Sequence, residues 1–295
     1  MSQVKIFWDP RGFELDALGT KEYLKVTDGD TPYVSVSIRM LSIDTPEVHY
    51  PGRQKPSKHD AKLAQLADWI KAGKAPVSSG LAKHLHPKLS TGTAGTLQES
   101  QGESATAKLQ ELLEEKLTRP SGSKRRVFLQ AADQRFDQYG RLLAYMAPHY
   151  SAKERESMSR KERATFNLLM VESGWAAPFP IYPSIPRYVD LVMLQEAAKD
   201  AYDNKRGAWA DPMTLTGYEF RMCVRLYGVT KKLVGGQSLS SEERYGWGAR
   251  FCVDMTTREI FYPQSYYNVA PYNRIFIWPE DVAEAVSRMN LLPAE

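Results

Sequence analysis

The chain has 295 residues, 42% of them hydrophobic and 25% charged, with a formal net charge of +4. This is the composition of an ordinary globular protein, long enough for one large domain or two modest ones. No apolar run approaches the ~18 residues a membrane helix needs, and two distant cysteines, Cys223 and Cys252, exclude a disulfide scaffold and a cysteine metal cage.

In chain order, residues 4 to 8 and 22 to 26 are β-prone runs, and residues 33 to 38 alternate with Val34, Val36 and Ile38 on one face. Between them Asp28-Gly29-Asp30 is a turn signature. Residues 58 to 72 carry Leu63, Leu66, Ala67 and Ile70 at helical spacing. A loop is expected from there to about 103, and its low-complexity stretch STGTAGTLQESQGES reads as mobile. A second helix is expected over 104 to 118, then two strands around the turn RFDQYG, then helices at NLLMVESGWA and at YVDLVMLQEAAKDAYDNKRGAW, ending near Gly207. The Pro-rich link between those helices must be largely extended. Aromatic and β-branched residues over 218 to 278 predict three or more strands, and Pro279-Glu280-Asp281 starts a short helix.

The densest chemistry lies where the first alternating segment ends, at Asp44-Thr45-Pro46-Glu47. Pro46 has no backbone donor and forces Thr45 into an extended conformation, which ends the strand there. Asp30, Asp44 and the Thr45 carbonyl are hard oxygen donors, which suit Ca²⁺ or Mg²⁺ and not Zn²⁺. Nothing nearby in sequence neutralises Glu47. Arg39 and Arg141 supply two guanidinium forks, so the parts for phosphodiester hydrolysis are present. A lone DTPE, or a lone D-x-Y-G-R, is commonly a turn and no more.

Together, "DGDT" (28–31), "R....DTPE" (39 to 47), "DQYGRLLAY" (137–145) and "SGWA…IYP…EAAKDAYDNKRGAWA" (173–210) resemble the staphylococcal nuclease (thermonuclease) family, in the family's order. The resemblance implies an α+β fold with an OB-like five-stranded β-barrel and three helices over residues 1–211. It implies Asp30, Asp44 and the Thr45 carbonyl as calcium ligands, Glu47 as general base, and Arg39 and Arg141 as the phosphate-binding arginines. Tyr139 and Tyr182 fall near family tyrosines that line the nucleotide site. The implied activity is Ca²⁺-dependent cleavage of DNA or RNA that leaves 3′-phosphate ends. Family members that have lost catalysis and only read nucleic acid offer an alternative, as does a subunit whose tail recruits a protein partner.

Two segments depart from the family pattern: an insertion at about 50–101 and a small mixed β/α module at 212–295. Residues 51 to 102 hold Arg53, Lys55, Lys58, Lys62, Lys71, Lys74, Lys83 and Lys88 against Asp60, Asp68 and Glu99, which suggests a mobile basic flap over the substrate strand. His84 and His86 read as a surface pair, and Gln138 stands where the family has a basic residue. The tail is neutral, with nine residues of each sign, and no site residue is expected in it. The N-terminus shows no basic stretch followed by an apolar one, so a cytoplasmic location is expected; a mature secreted form would look the same.

Overall fold

The computed structural model describes residues 20–294, excepting the side chains at 133 and 134. The strand expected over residues 4 to 8 lies outside them. Chain order begins with β1 (Tyr23–Val26), β2 (Pro32–Val34), β3 (Ile38–Met40) and β4 (Ile43–Asp44), followed by α1 (Asp60–Lys71), α2 (Ser79–Leu89) and α3 (Ala94–Leu117). Next come β5 (Val127–Phe136), β6 (Leu142–Pro148), α4 (Ala152–Glu156), α5 (Phe166–Glu172), β7 (Ala177–Pro178) and α6 (Tyr188–Asp203). The last elements are α7 (Gly217–Val234), α8 (Ser241–Tyr245), β8 (Phe251–Asp254), β9 (Glu259–Phe261), β10 (Arg274–Ile277), α9 (Val282–Met289) and β11 (Leu292–Pro293).

Contacts divide the chain into two compact units, Met1–Arg39 with Ala131–Ala144, and Met40–Gln130 with Tyr145–Glu295. In the first unit β1 pairs antiparallel with β2, with Tyr23 opposite Val34 and Val26 opposite Pro32. The parts of β5 and β6 in this unit belong to a three-stranded sheet of order β3-β6-β5. The Leu142 N–H donates to the Ser37 carbonyl at 2.8 Å. Among the described residues, the strands expected to form one five-stranded barrel lie in separate ladders, β1–β2, β3–β6–β5 and β4–β7.

The second unit corrects the reading of the insertion. Helix α1 forms as expected, burying Leu63, Leu66, Ala67 and Ile70. The segment read as a loop is helical as well. Ser78 caps α2 by accepting from the Leu81 N–H at 3.3 Å, and Leu81, Leu85 and Leu89, at i, i+4 and i+8, are each 0% exposed. Burying each such leucine contributes about 1.5–3 kcal/mol, so a mobile flap is excluded. Helix α3 starts at Ala94, ten residues before the expected start, and its inner face is small and polar: Ala94, Gly95, Gln98, Gln101, Gly102 and Ala105. That face carries no hydrophobic periodicity because it packs against backbone. Asp60 anchors its first turn, accepting from the Gly95 and Thr96 N–H groups at 2.6 and 3.0 Å.

The tail also differs from expectation. Residues 217–234 are helix, opened by a capping box in which Thr216 accepts from the Glu219 N–H at 3.2 Å and Glu219 accepts from the Thr216 N–H at 3.0 Å. The expected strands are confined to β8, β9 and β10, in a sheet of order β10-β8-β9-β11. One apolar cluster joins Leu63, Leu66, Leu81, Leu85 and Leu89 of the insertion to Phe220, Met222, Leu226, Cys252, Tyr266 and Phe276. Insertion and tail therefore share a core.

Candidate active site

Strand β4 ends in the DTPE knot and is held on both sides. It pairs antiparallel with β7, Asp44 opposite Ala177. Asn167, near the start of α5, donates to the Leu41 carbonyl at 2.8 Å and accepts from the Met146 N–H at 3.0 Å. This fixes the backbone that leads to Asp44, whose side chain is 1% exposed.

The knot is covered by α3 and by the tail. From α3, the Gln98 amide, in the orientation that satisfies its neighbours, accepts from the Glu47 N–H at 2.7 Å and donates to the Leu215 carbonyl at 2.9 Å. Gln101 donates to the Thr214 hydroxyl at 2.7 Å. A Cβ added at Gly102 would lie 2.7 Å from the Glu47 carbonyl oxygen, so glycine is what lets α3 pass this close. From the tail, the first residue of α7, Gly217, lies so close that a Cβ there would be 2.4 Å from the Thr45 carbonyl oxygen and 2.7 Å from Asp44 Oδ2.

One turn into α7, Arg221 reaches both carboxylates. Its Nη2 donates to Asp44 Oδ1 and Oδ2 at 3.0 and 3.1 Å, and its Nη1 donates to Glu47 Oε1. Burial opposes the charge of this guanidinium, but Asp44 and then Glu47 outweigh it and raise its pKa. The N-terminal end of α7 adds positive potential beside Asp44. The expectation that nothing neutralises Glu47 is thus corrected, as is the expectation that the tail holds no site residue. Arg221 was hidden because its partners lie 174 and 177 positions away. The visible signal was the Thr216-x-x-Glu219 capping pattern, which announces the helix and leaves its partner undetermined.

A second polar cluster locks α2 to α7. Glu219 Oε1 is 2.9 Å from His84 Nε2 and accepts from the Tyr266 hydroxyl at 3.1 Å, while Oε2 accepts from Lys88 Nζ at 3.3 Å. Burial raises the pKa of Glu219, yet Lys88, His84 and Arg274 prevail and hold it well below the ordinary carboxylate value. His84 is therefore a tertiary contact, not one half of a surface pair.

The remaining expected residues are placed as follows. Asp30 lies in the turn between β1 and β2 and accepts from the Thr31 hydroxyl at 3.0 Å. Arg39 is the middle residue of β3. Arg141 closes the β5–β6 turn: Asp137 accepts from its N–H at 3.0 Å, from its Nε at 2.7 Å and from the Tyr139 N–H at 2.9 Å. Tyr139 is 71% exposed, and the Arg141 guanidinium sits 5.5 Å over its ring. Tyr182 is 6% exposed and lies in an apolar cluster with Val253, Ile275 and Ile277.

This geometry leaves little room for a hard cation. Asp44 and the Thr45 carbonyl are the right donor types, but both Asp44 oxygens accept from Arg221 and the first turn of α7 rests on both donors. With α7 docked, the arrangement does not fit a divalent ion. No cluster of three His, Cys, Asp or Glu side chains suited to a metal occurs among the described residues.

A strand-end carboxylate pair in a mixed α/β architecture suits a domain that acts on, or binds, nucleic acid. The chain belongs to the staphylococcal nuclease homologue family, whose model matches residues 37–211. No curated protein matches the chain. No helix among the described residues is long and apolar enough to cross a membrane.

Proposed function

We propose that this protein is a phosphodiesterase of the thermonuclease kind, hydrolysing DNA, RNA or both and leaving 3′-phosphate ends. The observation that carries the reading is the convergence of Asp44 and Glu47 on one guanidinium at the end of β4, which puts both carboxylates on the same side of the knot. Family membership and the presence of Asp30, Arg39, Asp44, Thr45, Glu47 and Arg141 in the family's order add support.

In this reading Glu47 orients a water and takes its proton as the oxygen attacks phosphorus. Arg39 and Arg141 offset the charge that builds on the phosphoryl oxygens. With α7 lifted from the knot, Asp44 and the Thr45 carbonyl would be free to hold a calcium ion, which would supply further neutralisation there. Arg141 comes to its task already oriented by Asp137, so little side-chain entropy remains to be lost when it takes a phosphate.

The test is digestion of labelled single- and double-stranded DNA and RNA with Ca²⁺, with Mg²⁺ and with EDTA. Wild type is expected to cleave with Ca²⁺ and to stop with chelator. Glu47→Gln is expected to bind the same substrates with turnover lowered by ~10²–10⁴-fold. Cleavage by Glu47→Gln at the wild-type rate would remove Glu47 from the mechanism. The docking of α7 on Asp44 and Thr45 favours a second reading, a non-catalytic nucleic-acid binder. Retention of an oligonucleotide without cleavage under any cation would decide for it.

A further inference from the structure

The DTPE knot lies under a helix that the family pattern lacks, and that helix delivers a positive charge to it. Two features mark Arg221 as more than a packing contact. Its two terminal nitrogens are divided between the two functional carboxylates, Nη2 on Asp44 and Nη1 on Glu47. The helix that carries it also presses its first residue, Gly217, onto the Thr45 carbonyl and Asp44 Oδ2. Asp44 and Thr45 are the positions that would hold the cation in the reading above, on which this inference rests.

We infer that Arg221 is a tethered cation that competes with a divalent ion for Asp44. A guanidinium that takes both oxygens of a carboxylate occupies the directions along which a metal approaches, and its charge repels the metal at short range. Binding of the ion therefore requires Nη2 to release Asp44 and the first turn of α7 to lift from Thr45. The tail thereby sets the cation affinity of a site whose ligands all lie outside it. Apparent affinity falls by the fraction of molecules in which Asp44 is released.

The experiment measures binding of Tb³⁺ by sensitised luminescence and of Ca²⁺ by calorimetry, on the full chain. Arg221→Gln is expected to bind either ion about tenfold tighter or better than wild type. Arg221→Lys, a point charge that cannot span both carboxylates, should fall between the two. Arg225→Gln removes an exposed charge one turn further along α7 and should leave affinity unchanged, separating displacement from general electrostatics. Asp44→Asn should abolish the binding. If Arg221→Gln does not fold, as far-UV circular dichroism would show, Arg221→Lys decides alone: tighter binding supports the competition, and equal or weaker binding overturns it. An Arg221→Gln affinity equal to or weaker than wild type, or matched by Arg225→Gln, also overturns it. Cleavage of nucleic acid is scored in parallel. Unchanged cation affinity with cleavage defeats the competition and leaves the phosphodiesterase reading intact, whereas tightened affinity without cleavage does the reverse.

Discussion

Arg141 and Arg221 are both held by carboxylates, and they are held in opposite ways. Asp137 reaches Arg141 from four positions away and accepts three hydrogen bonds within one turn. The pair is self-contained, and the Arg141 side chain stays 40% exposed. Arg221 is 19% exposed and reaches carboxylates 174 and 177 positions away. The first arrangement survives whatever happens elsewhere in the chain. The second exists only if β4, α3 and α7 are all in place, so its chemistry is conditional on the tertiary fold.

The strongest way to break this comparison is to remove residues 212 to 295. The cluster that buries Leu63, Leu66, Leu81, Leu85 and Leu89 is closed by Phe220, Met222, Leu226, Tyr266 and Phe276. Losing that half exposes the insertion helices, and a fragment ending at 211 is expected to be insoluble or to unfold without cooperativity in urea. A soluble 1–211 fragment with a sharp transition would show that the tail is an independent module.

A smaller effect is expected from Glu219→Gln. The carboxylate is buried between Lys88 and His84 of α2, Tyr266, and Arg274 of β10. Breaking a buried pair by removing one partner costs about 3–5 kcal/mol. The pH dependence has a definite sign. The folded-state pKa lies below the ordinary value of 4.5, so this contribution is complete above that value and is lost as pH falls toward the folded pKa. Wild-type stability should thus decline below about pH 4.5 more steeply than that of Glu219→Gln, read from urea midpoints across pH 3 to 6. Parallel slopes would mean that Glu219 does not carry the docking of α2 on α7.

What the sequence disclosed follows the same division between local and distant. The turn at Asp137, the helix α1 stripe and the strand ending at Asp44 are written in neighbouring residues, and each is present. The first part of helix α3, before residue 104, was missed because its buried face of glycine, alanine and glutamine meets backbone, leaving no apolar period to detect. Helix α7 was taken for strand because its aromatic and β-branched content outweighed the capping box at Thr216. Among the site residues, types and order were legible, while the guanidinium on Asp44 and Glu47 was not. The surroundings of Tyr182 were hidden for a related reason: its neighbours Val253, Ile275 and Ile277 come from the tail.

The smallest expected effect tests the local side of the comparison. Arg141→Lys keeps the backbone N–H that donates to Asp137 Oδ1 and loses the guanidinium that contacts Oδ2. The Tyr139 N–H still donates to the same carboxylate, and Gly140, at φ +68°, still turns the chain. A half-exposed pair of this kind contributes about 0–1 kcal/mol, so the urea midpoint should barely move. In the proposed reaction the same change should raise KM for an oligonucleotide, because an ammonium cannot offer a phosphate the two parallel donors of a guanidinium. A midpoint shift equivalent to about 3 kcal/mol or more, the range of a buried pair, would mean that Arg141 is bound into the tertiary fold as Arg221 is, and the contrast between the two arginines would fall.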